Sequence, residues 1–186
     1  MEFTDAVAVG KARAGDADAF RVLVERHSRS LFRLAYRMTG NQQDAEDVVQ
    51  ESFMRAYKQL HKFDERASFG TWLYRIAANC SLDLVRSRKR RGDDDTPPEV
   101  VETKATADPN PERMALSTEV RERLAAAMED LSATERTAFV LRHFEGMCME
   151  EVGRVLECQP GAAKHSVFRA VQKLRRALEP VVSPAK

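Results

Sequence analysis

Cysteine is scarce in this 186-residue chain: there are three, an odd number, with no Cys-x-x-Cys pairing. A disulfide framework is therefore not expected, and free thiols in a reducing compartment fit the count. No run approaches the ~18 apolar residues that a membrane span needs. The opening Met1-Glu2-Phe3-Thr4-Asp5 lacks the basic-then-apolar order of an export signal. The expected location is the cytoplasm, without membrane insertion. A Gly-rich phosphate loop, a His-Glu-x-x-His and a nucleophile elbow are all missing, which argues against an enzyme and leaves no cofactor to expect. His143, Cys148, Cys158 and His165 lie at spacings that match no usual zinc module, so no metal is expected either. The chain is also too short for a large catalytic barrel.

Charge, by contrast, is abundant and nearly balanced, with 30 Lys/Arg against 29 Asp/Glu. The balance hides a segregation. Residues 1–92 carry 17 cations against 12 acids, residues 93–112 carry 1 against 7, and residues 113–186 carry 12 against 10. The acidic joint reads Asp93-Asp94-Asp95-Thr96-Pro97-Pro98 and runs on to Asp108-Pro109-Asn110-Pro111 without apolar periodicity, the signature of a solvated linker. The expected organisation is a first domain over 1–91, a linker over 92–112 and a second domain over 113–186.

Nearly every other stretch has helical period. Phe20, Leu23, His27, Leu31, Leu34, Ala35 and Met38 recur at three and four between Asp16 and Thr39, and Gly40 closes the pattern as a C-cap. A second helix is expected from about Gln42 to Leu60, with Ala45, Val48, Val49, Phe53, Ala56, Tyr57 and Leu60 on one side. A third starts near Ser68 and buries Phe69, Trp72, Leu73, Ile76, Ala77, Cys80 and Leu84. Beyond the linker, Leu116, Val120, Leu124, Ala127, Met128 and Leu131 outline a fourth helix. Ser132-Ala133-Thr134-Glu135 has the spacing of a capping box for a fifth. Two further helices, about Met149 to Leu156 and Pro160 to Leu178, flank a tight turn and suggest a helix-turn-helix. The expected fold class is all-α, in two small helical domains joined by a flexible acidic linker.

Three faces carry candidate chemistry. At about 100° per residue the last helix puts Ala163, Val167, Ala170, Val171, Leu174 and Leu178 on its core arc. Ala162, His165, Arg169, Gln172 and Arg176 lie opposite, with Lys164, Lys173 and Arg175 at the edges and no acid between Lys164 and Arg176. A solvated basic helix is one reading. The other is a helix lying in the major groove, with His165 and Arg169 at base edges and the later cations on phosphate. On the third helix Arg75, Asn79, Asp83, Arg86 and Arg90 repeat at three and four, and five of the six residues from Arg86 to Arg91 are cations. The macrodipole accounts for one or two of these, not five. The preceding loop, His61 to Ser68, mixes an aromatic with cations, a composition that suits an unstacked base. On the second helix Asp44, Asp47 and Glu51 form an acidic stripe; the helix dipole explains the first two, while Gln50 and Glu51 point to a partner.

The runs Gly40-Asn41-Gln42-Gln43-Asp44-Ala45-Glu46-Asp47-Val48-Val49-Gln50-Glu51-Ser52-Phe53 and Phe69-Gly70-Thr71-Trp72-Leu73-Tyr74-Arg75-Ile76-Ala77-Ala78-Asn79 closely resemble region 2 of extracytoplasmic-function sigma factors of bacterial RNA polymerase. Leu131-Ser132-Ala133-Thr134-Glu135-Arg136 and the segment ending Phe168-Arg169-Ala170-Val171-Gln172-Lys173-Leu174-Arg175 are similar to region 4 of the same family. The resemblance implies an alternative sigma factor that recognises −35 and −10 promoter elements and helps open the strands. It implies docking of Asp44, Asp47, Gln50 and Glu51 on the clamp helices of the largest polymerase subunit, with the flap of the second subunit as a further contact. It implies −10 contacts from Lys62, Phe63, Asp64, Arg66 and Ser68 in the loop and from Arg75, Asn79 and Arg86 on the helix. For the −35 duplex it implies Ala162, Lys164, His165, Arg169, Gln172, Lys173 and Arg176. The family's recognition helix usually starts with a Gly-Thr-Val-Lys-Ser-Arg type of run. Here it reads Gly161-Ala162-Ala163-Lys164-His165-Ser166, which implies a different upstream preference. An anti-sigma partner and association with the nucleoid when active are further expectations from the family. Two alternatives stay open at this stage: a sigma-like mimic that only sequesters an anti-sigma factor, and a stand-alone helix-turn-helix regulator.

Overall fold

The computed structural model of the chain describes residues 4–91, 120 and 122–182, and among these every regular element is helical. The helices are α1 (Asp5–Arg13), α2 (Ala17–Thr39), α3 (Gln42–Gln59), a 3₁₀ turn (Leu60–Lys62), α4 (Phe69–Arg91), α5 (122–129), α6 (Ala133–His143), α7 (Met149–Leu156) and α8 (Pro160–Val182). The expected acidic linker over 92–112 and the start of the fourth predicted helix at Leu116 lie outside the described residues.

Local chemistry sets the boundaries. Asp16 accepts from the Ala19 amide at 3.0 Å and starts α2, and Asn41 Oδ1 accepts from the Asp44 amide at 2.7 Å and starts α3. Gly40, at φ 83°, ends α2 in the left-handed region and donates its N–H to Tyr36 O at 2.8 Å. The predicted capping box forms: Ser132 Oγ accepts from the Glu135 amide at 3.2 Å, while Glu135 Oε2 accepts from the Ser132 amide at 2.9 Å.

The sequence pattern offers no helix before Asp16, yet α1 forms there. Its small residues Ala8, Val9 and Ala12 are buried against the bundle. Asp5 holds it to α2, accepting from Arg26 Nη1 at 2.9 Å and lying 2.7 Å from His27 Nε2. Tertiary contact, rather than amphipathic period, makes this helix. Tyr57 also departs from expectation. Its ring is 52% exposed and packs edge-on against Phe20 at 4.9 Å instead of entering the core.

The two halves share one core. Leu23, Leu31, Leu34, Met38, Leu73 and Ala77 of the first half are contiguous with Ala138, Leu141, Val152 and Val167 of the second. A smaller cluster of Ala127, Leu131, Ala170 and Leu174 holds α8 to α5. In the contact between halves, Arg136 of α6 donates to Met38 O at the end of α2 at 3.2 Å and to Met128 O at the end of α5 at 2.9 Å, so one guanidinium caps a helix from each half.

Candidate nucleic-acid interface

The last helix presents the arcs that its period predicts. Ala163, Val167, Ala170 and Leu174 are buried, while Ala162, Lys164, His165, Arg169, Gln172, Lys173 and Arg176 are all exposed. Phe168, not among the predicted contacts, is 58% exposed on the same outer surface. A bulky aromatic left in water among cations was a signal available in the sequence. Lys173 differs from its neighbours because its Nζ lies 2.7 Å from Glu135 Oε2, across the start of α6. That bond, backed by the Ser132 cap, holds the Glu135 carboxyl below the usual range against the opposing effect of burial. A carboxylate whose folded pKa is depressed contributes stability that is complete above its unfolded value, about 4.3, and is lost as the pH falls through the folded one. Glu135→Gln is therefore expected to flatten the loss of thermal stability below about pH 4.3, read as melting temperature against pH, with little change in slope near neutrality.

Tight backbone approach positions α8. The Cys158 amide donates to Gly153 O at 2.9 Å, Glu157 sits at φ 54°, and a Cβ added to Gly153 would lie 2.8 Å from Cys158 O. Only glycine fits this turn without displacement.

In the first half, Lys62, Asp64, Arg66 and Ser68 of the loop are exposed. Phe63 is not: its ring is 5% exposed and packs against Trp72 at 5.1 Å and Phe69 at 6.0 Å. The expectation that Phe63 offers its ring to a base is therefore corrected. The loop turns this aromatic inward because a buried aromatic triad gains more than a ring held in water. Trp72 is likewise buried, as its stripe predicts. Ser68 Oγ accepts from the Thr71 amide at 3.1 Å and starts α4. Asp64 accepts from the Arg66 amide at 3.2 Å, and its carboxylate lies 3.3 Å from Arg66 Nε.

Arg13 of α1 straps this loop from behind. It donates to Leu60 O at 3.1 Å and to Phe63 O, and pairs with Glu65 Oε1 at 2.7 Å. Glu65 itself lies at φ 61°, a left-handed conformation that side chains rarely adopt. Along α4, Asn79 and Arg86 are exposed on the face that carries Arg75. Arg75 is engaged: its Nη1 donates to Glu157 Oε1 of the second half at 3.1 Å.

The acidic stripe on α3 divides. Asp47 and Gln50 are exposed, and Asp47 accepts from Gln43 Nε2 at 3.4 Å. Glu51 is tied to Arg55 at 2.6 Å. Asp44 is turned inward, with its side chain only 18% exposed, accepting from Asn41 Nδ2 at 2.8 Å and pairing with Arg88 of α4. The expectation of a free surface carboxylate at Asp44 is corrected: it clips the start of α3 to the end of α4. Gln50 and Met54 form a ridge between two grooves. One, of about 510 Å³, is shared with Asp83 and Ser87 of α4. The other, of about 800 Å³, is lined by Phe20, Val24, Phe32 and Phe53.

Cys80 is buried and its thiol is pushed up by burial, while Cys148 is exposed at the start of α7. Among the described residues no three His, Cys, Asp or Glu side chains gather as a metal site, and no helix is long and apolar enough to cross a membrane.

Residues 23–91 match the family described as Sigma-70 region 2, and residues 121–174 that described as Sigma-70, region 4. The chain is 34% identical over 183 residues to the RNA polymerase sigma-H factor of Pseudomonas aeruginosa, covering 95% of each. It is 33% identical over 186 residues to the ECF RNA polymerase sigma factor SigW of Bacillus subtilis, covering 96% of this chain and 98% of that one. Among solved structures it resembles CnrH in complex with the cytosolic domain of CnrY, with a TM-score of 0.69 at 28% identity over 94% of this chain and 97% of that one.

Proposed function

The chain belongs to the extracytoplasmic-function family of RNA polymerase sigma factors, and on that premise we propose how its surfaces divide the work of initiation. As an alternative sigma factor it binds core polymerase, recognises the −35 and −10 elements and promotes strand opening. Residues 1–91 act as region 2, residues 92–112 as the linker and residues 113–186 as region 4.

In this reading α8 enters the major groove of the −35 duplex. Ala162, His165 and Arg169 face base edges, Gln172 and Arg176 follow along the groove wall, and Lys164 and Lys173 meet phosphate. Lys62, Asp64, Arg66 and Ser68 take a base flipped from the melted −10 strand, Phe63 supports their loop from the core side, and Arg75, Asn79 and Arg86 hold the strand along α4. Asp47, Gln50 and Glu51 dock on the polymerase clamp helices, the ridge between the two grooves of α3 being shaped for a helical partner, and Asp44 keeps that ridge in register through Arg88. Region 4 meets the flap. No covalent chemistry belongs to the chain, which works in the cytoplasm and at the nucleoid when active. The structural likeness to CnrH, solved in complex with the cytosolic domain of CnrY, supports a regulatory protein partner, here an anti-sigma factor.

The observation that carries the reading is the separation of arcs on α8, buried small and aliphatic residues on one side and, on the other, an exposed face with Lys164, His165, Arg169, Arg175 and Arg176 and no acidic residue of the helix between them. A sigma-like mimic has no use for that surface. Run-off transcription with core polymerase on a genomic fragment library tests it: addition of the chain is expected to yield discrete start sites sharing two spaced elements. Arg169→Ala is expected to cost about 10- to 100-fold in transcription from those promoters, the equivalent of one bidentate base contact. Assembly with polymerase should remain intact. Unchanged start sites and yields with the variant would remove Arg169 from the base-reading set.

A further inference from the structure

Region 4 carries an acidic residue that lies outside the proposed promoter contacts and is nonetheless fully engaged. Glu145, in the loop after α6, has a side chain only 5% exposed. Both of its oxygens are used, and both partners belong to region 2: Oε1 accepts from Arg37 Nη1 at 3.0 Å and Oε2 accepts from Tyr74 Oη at 2.9 Å. Burial pushes the Tyr74 phenol up, so it remains the donor. The guanidinium of Arg37 is stacked over the Phe144 ring at 4.3 Å, which fixes its plane toward the carboxylate. Nearby, Glu157 of region 4 occupies Arg75, and Arg136 reaches Met38 O.

The −35 and −10 elements are, by their own coordinates, about 25 base pairs apart, or about 85 Å of duplex at 3.4 Å per pair. A chain in which Glu145 touches Tyr74 cannot place α8 on one element and α4 on the other. The arrangement seen here must open before both are bound.

We propose that Glu145, held between Arg37 and Tyr74, is the clasp of a latent closed form of this sigma factor, in which region 4 is folded back on region 2 and the chain cannot engage a two-element promoter. The carboxylates of Glu145 and Glu157 stand toward Arg37 and Arg75 as phosphates would, so closure and strand binding compete for Arg75. The geometric argument rests on the proposed placement of α8 on the −35 element and α4 on the −10 element, and the competition rests further on the assignment of Arg75 to the −10 strand. On opening, the carboxylate exchanges its two partners for water, so the clasp, two hydrogen bonds to a charged group, favours the closed form by on the order of 10-fold. The apparent affinity for polymerase and promoter is reduced by the fraction that is closed.

The test uses the full chain and three variants: Glu145→Ala, the charge swap Arg37→Glu with Glu145→Arg, and Arg75→Ala. Small-angle scattering reads closure. The wild-type chain is expected near the radius of gyration of a compact 186-residue protein, about 16 Å. Glu145→Ala is expected to rise above roughly 20 Å, as for two heads on a tether, with an unchanged helical circular dichroism spectrum, and the swap is expected to restore the smaller value. At limiting chain, the Glu145→Ala variant should assemble with core polymerase on a promoter fragment about 10-fold more readily. If Glu145→Ala stays compact, or opens without tightening that assembly, the proposal is overturned. If the variant loses its helical spectrum, the swap decides: a folded swap that scatters as an open chain overturns it, and one that is compact supports it. Binding of a single-stranded −10 oligonucleotide by Arg75→Ala is read separately. Unchanged binding there removes the strand role of Arg75 and leaves the clasp standing.

Discussion

Replacing Gly153 with valine is expected to abolish −35 recognition while leaving region 2 able to bind polymerase. The position is inside α7, where glycine ordinarily costs helix stability, about 1 kcal/mol relative to alanine. That gain is outweighed here. A Cβ would lie 2.8 Å from Cys158 O, a backbone atom of the turn that aims α8, and 3.4 Å from the Pro160 nitrogen. Backbone cannot rotate aside as a flexible side chain can, so the turn must open and carry the Cys158 amide away from Gly153 O. Overpacking of this kind costs about 1–3 kcal/mol, and valine adds the χ1 restriction of a branched residue in a helix. A urea titration followed by circular dichroism should show a net loss of about 2 kcal/mol, with Gly153→Ala intermediate. Full −35-dependent transcription from Gly153→Val would mean that the turn is softer than its geometry indicates.

Asp47→Lys is expected to lower the affinity for core polymerase by about 10- to 100-fold, because a reversed charge at a complementary interface meets repulsion instead of attraction. Asp47 is exposed, and its hydrogen bond from Gln43, at 3.4 Å, is weak, so stability should change by no more than about 0.5 kcal/mol. Asp44→Ala supplies the contrast. It leaves the buried end of Arg88 without its partner and should destabilise the chain as well as weaken docking. Binding to labelled core polymerase, measured beside a melting curve, separates the two. Equal affinities for wild type and Asp47→Lys would move the docking face off α3.

Much of this architecture is legible in the residues because it depends on neighbours close in sequence. The arcs of α8 follow from a 3.6 period uninterrupted from Ala163 to Leu174, and the Ser132 box and the Gly40 cap follow from side-chain chemistry within four residues. What escapes is what depends on distant partners. The pattern of α1 is weakly amphipathic, and only its seat on α2 explains why it is helical. Asp44 reads as one member of a solvated stripe, and nothing within a few turns reveals that Arg88, 44 residues on, claims it. Phe63 sits in a loop of exposed polar residues, and its direction is decided by Phe69 and Trp72 on the next helix. Glu145 is the extreme case, an acid in a loop whose partners lie 71 and 108 residues away.

The strap from Arg13 gives the turn and loop of residues 60–65 an unusual dependence. It is held by a guanidinium from a helix about fifty positions earlier, so the grip on DNA proposed for it is braced by a part of the polypeptide outside the proposed contacts. On the proposed reading, sequence drift in α1 would retune promoter melting from a distance, without any change among the residues proposed to meet the bases.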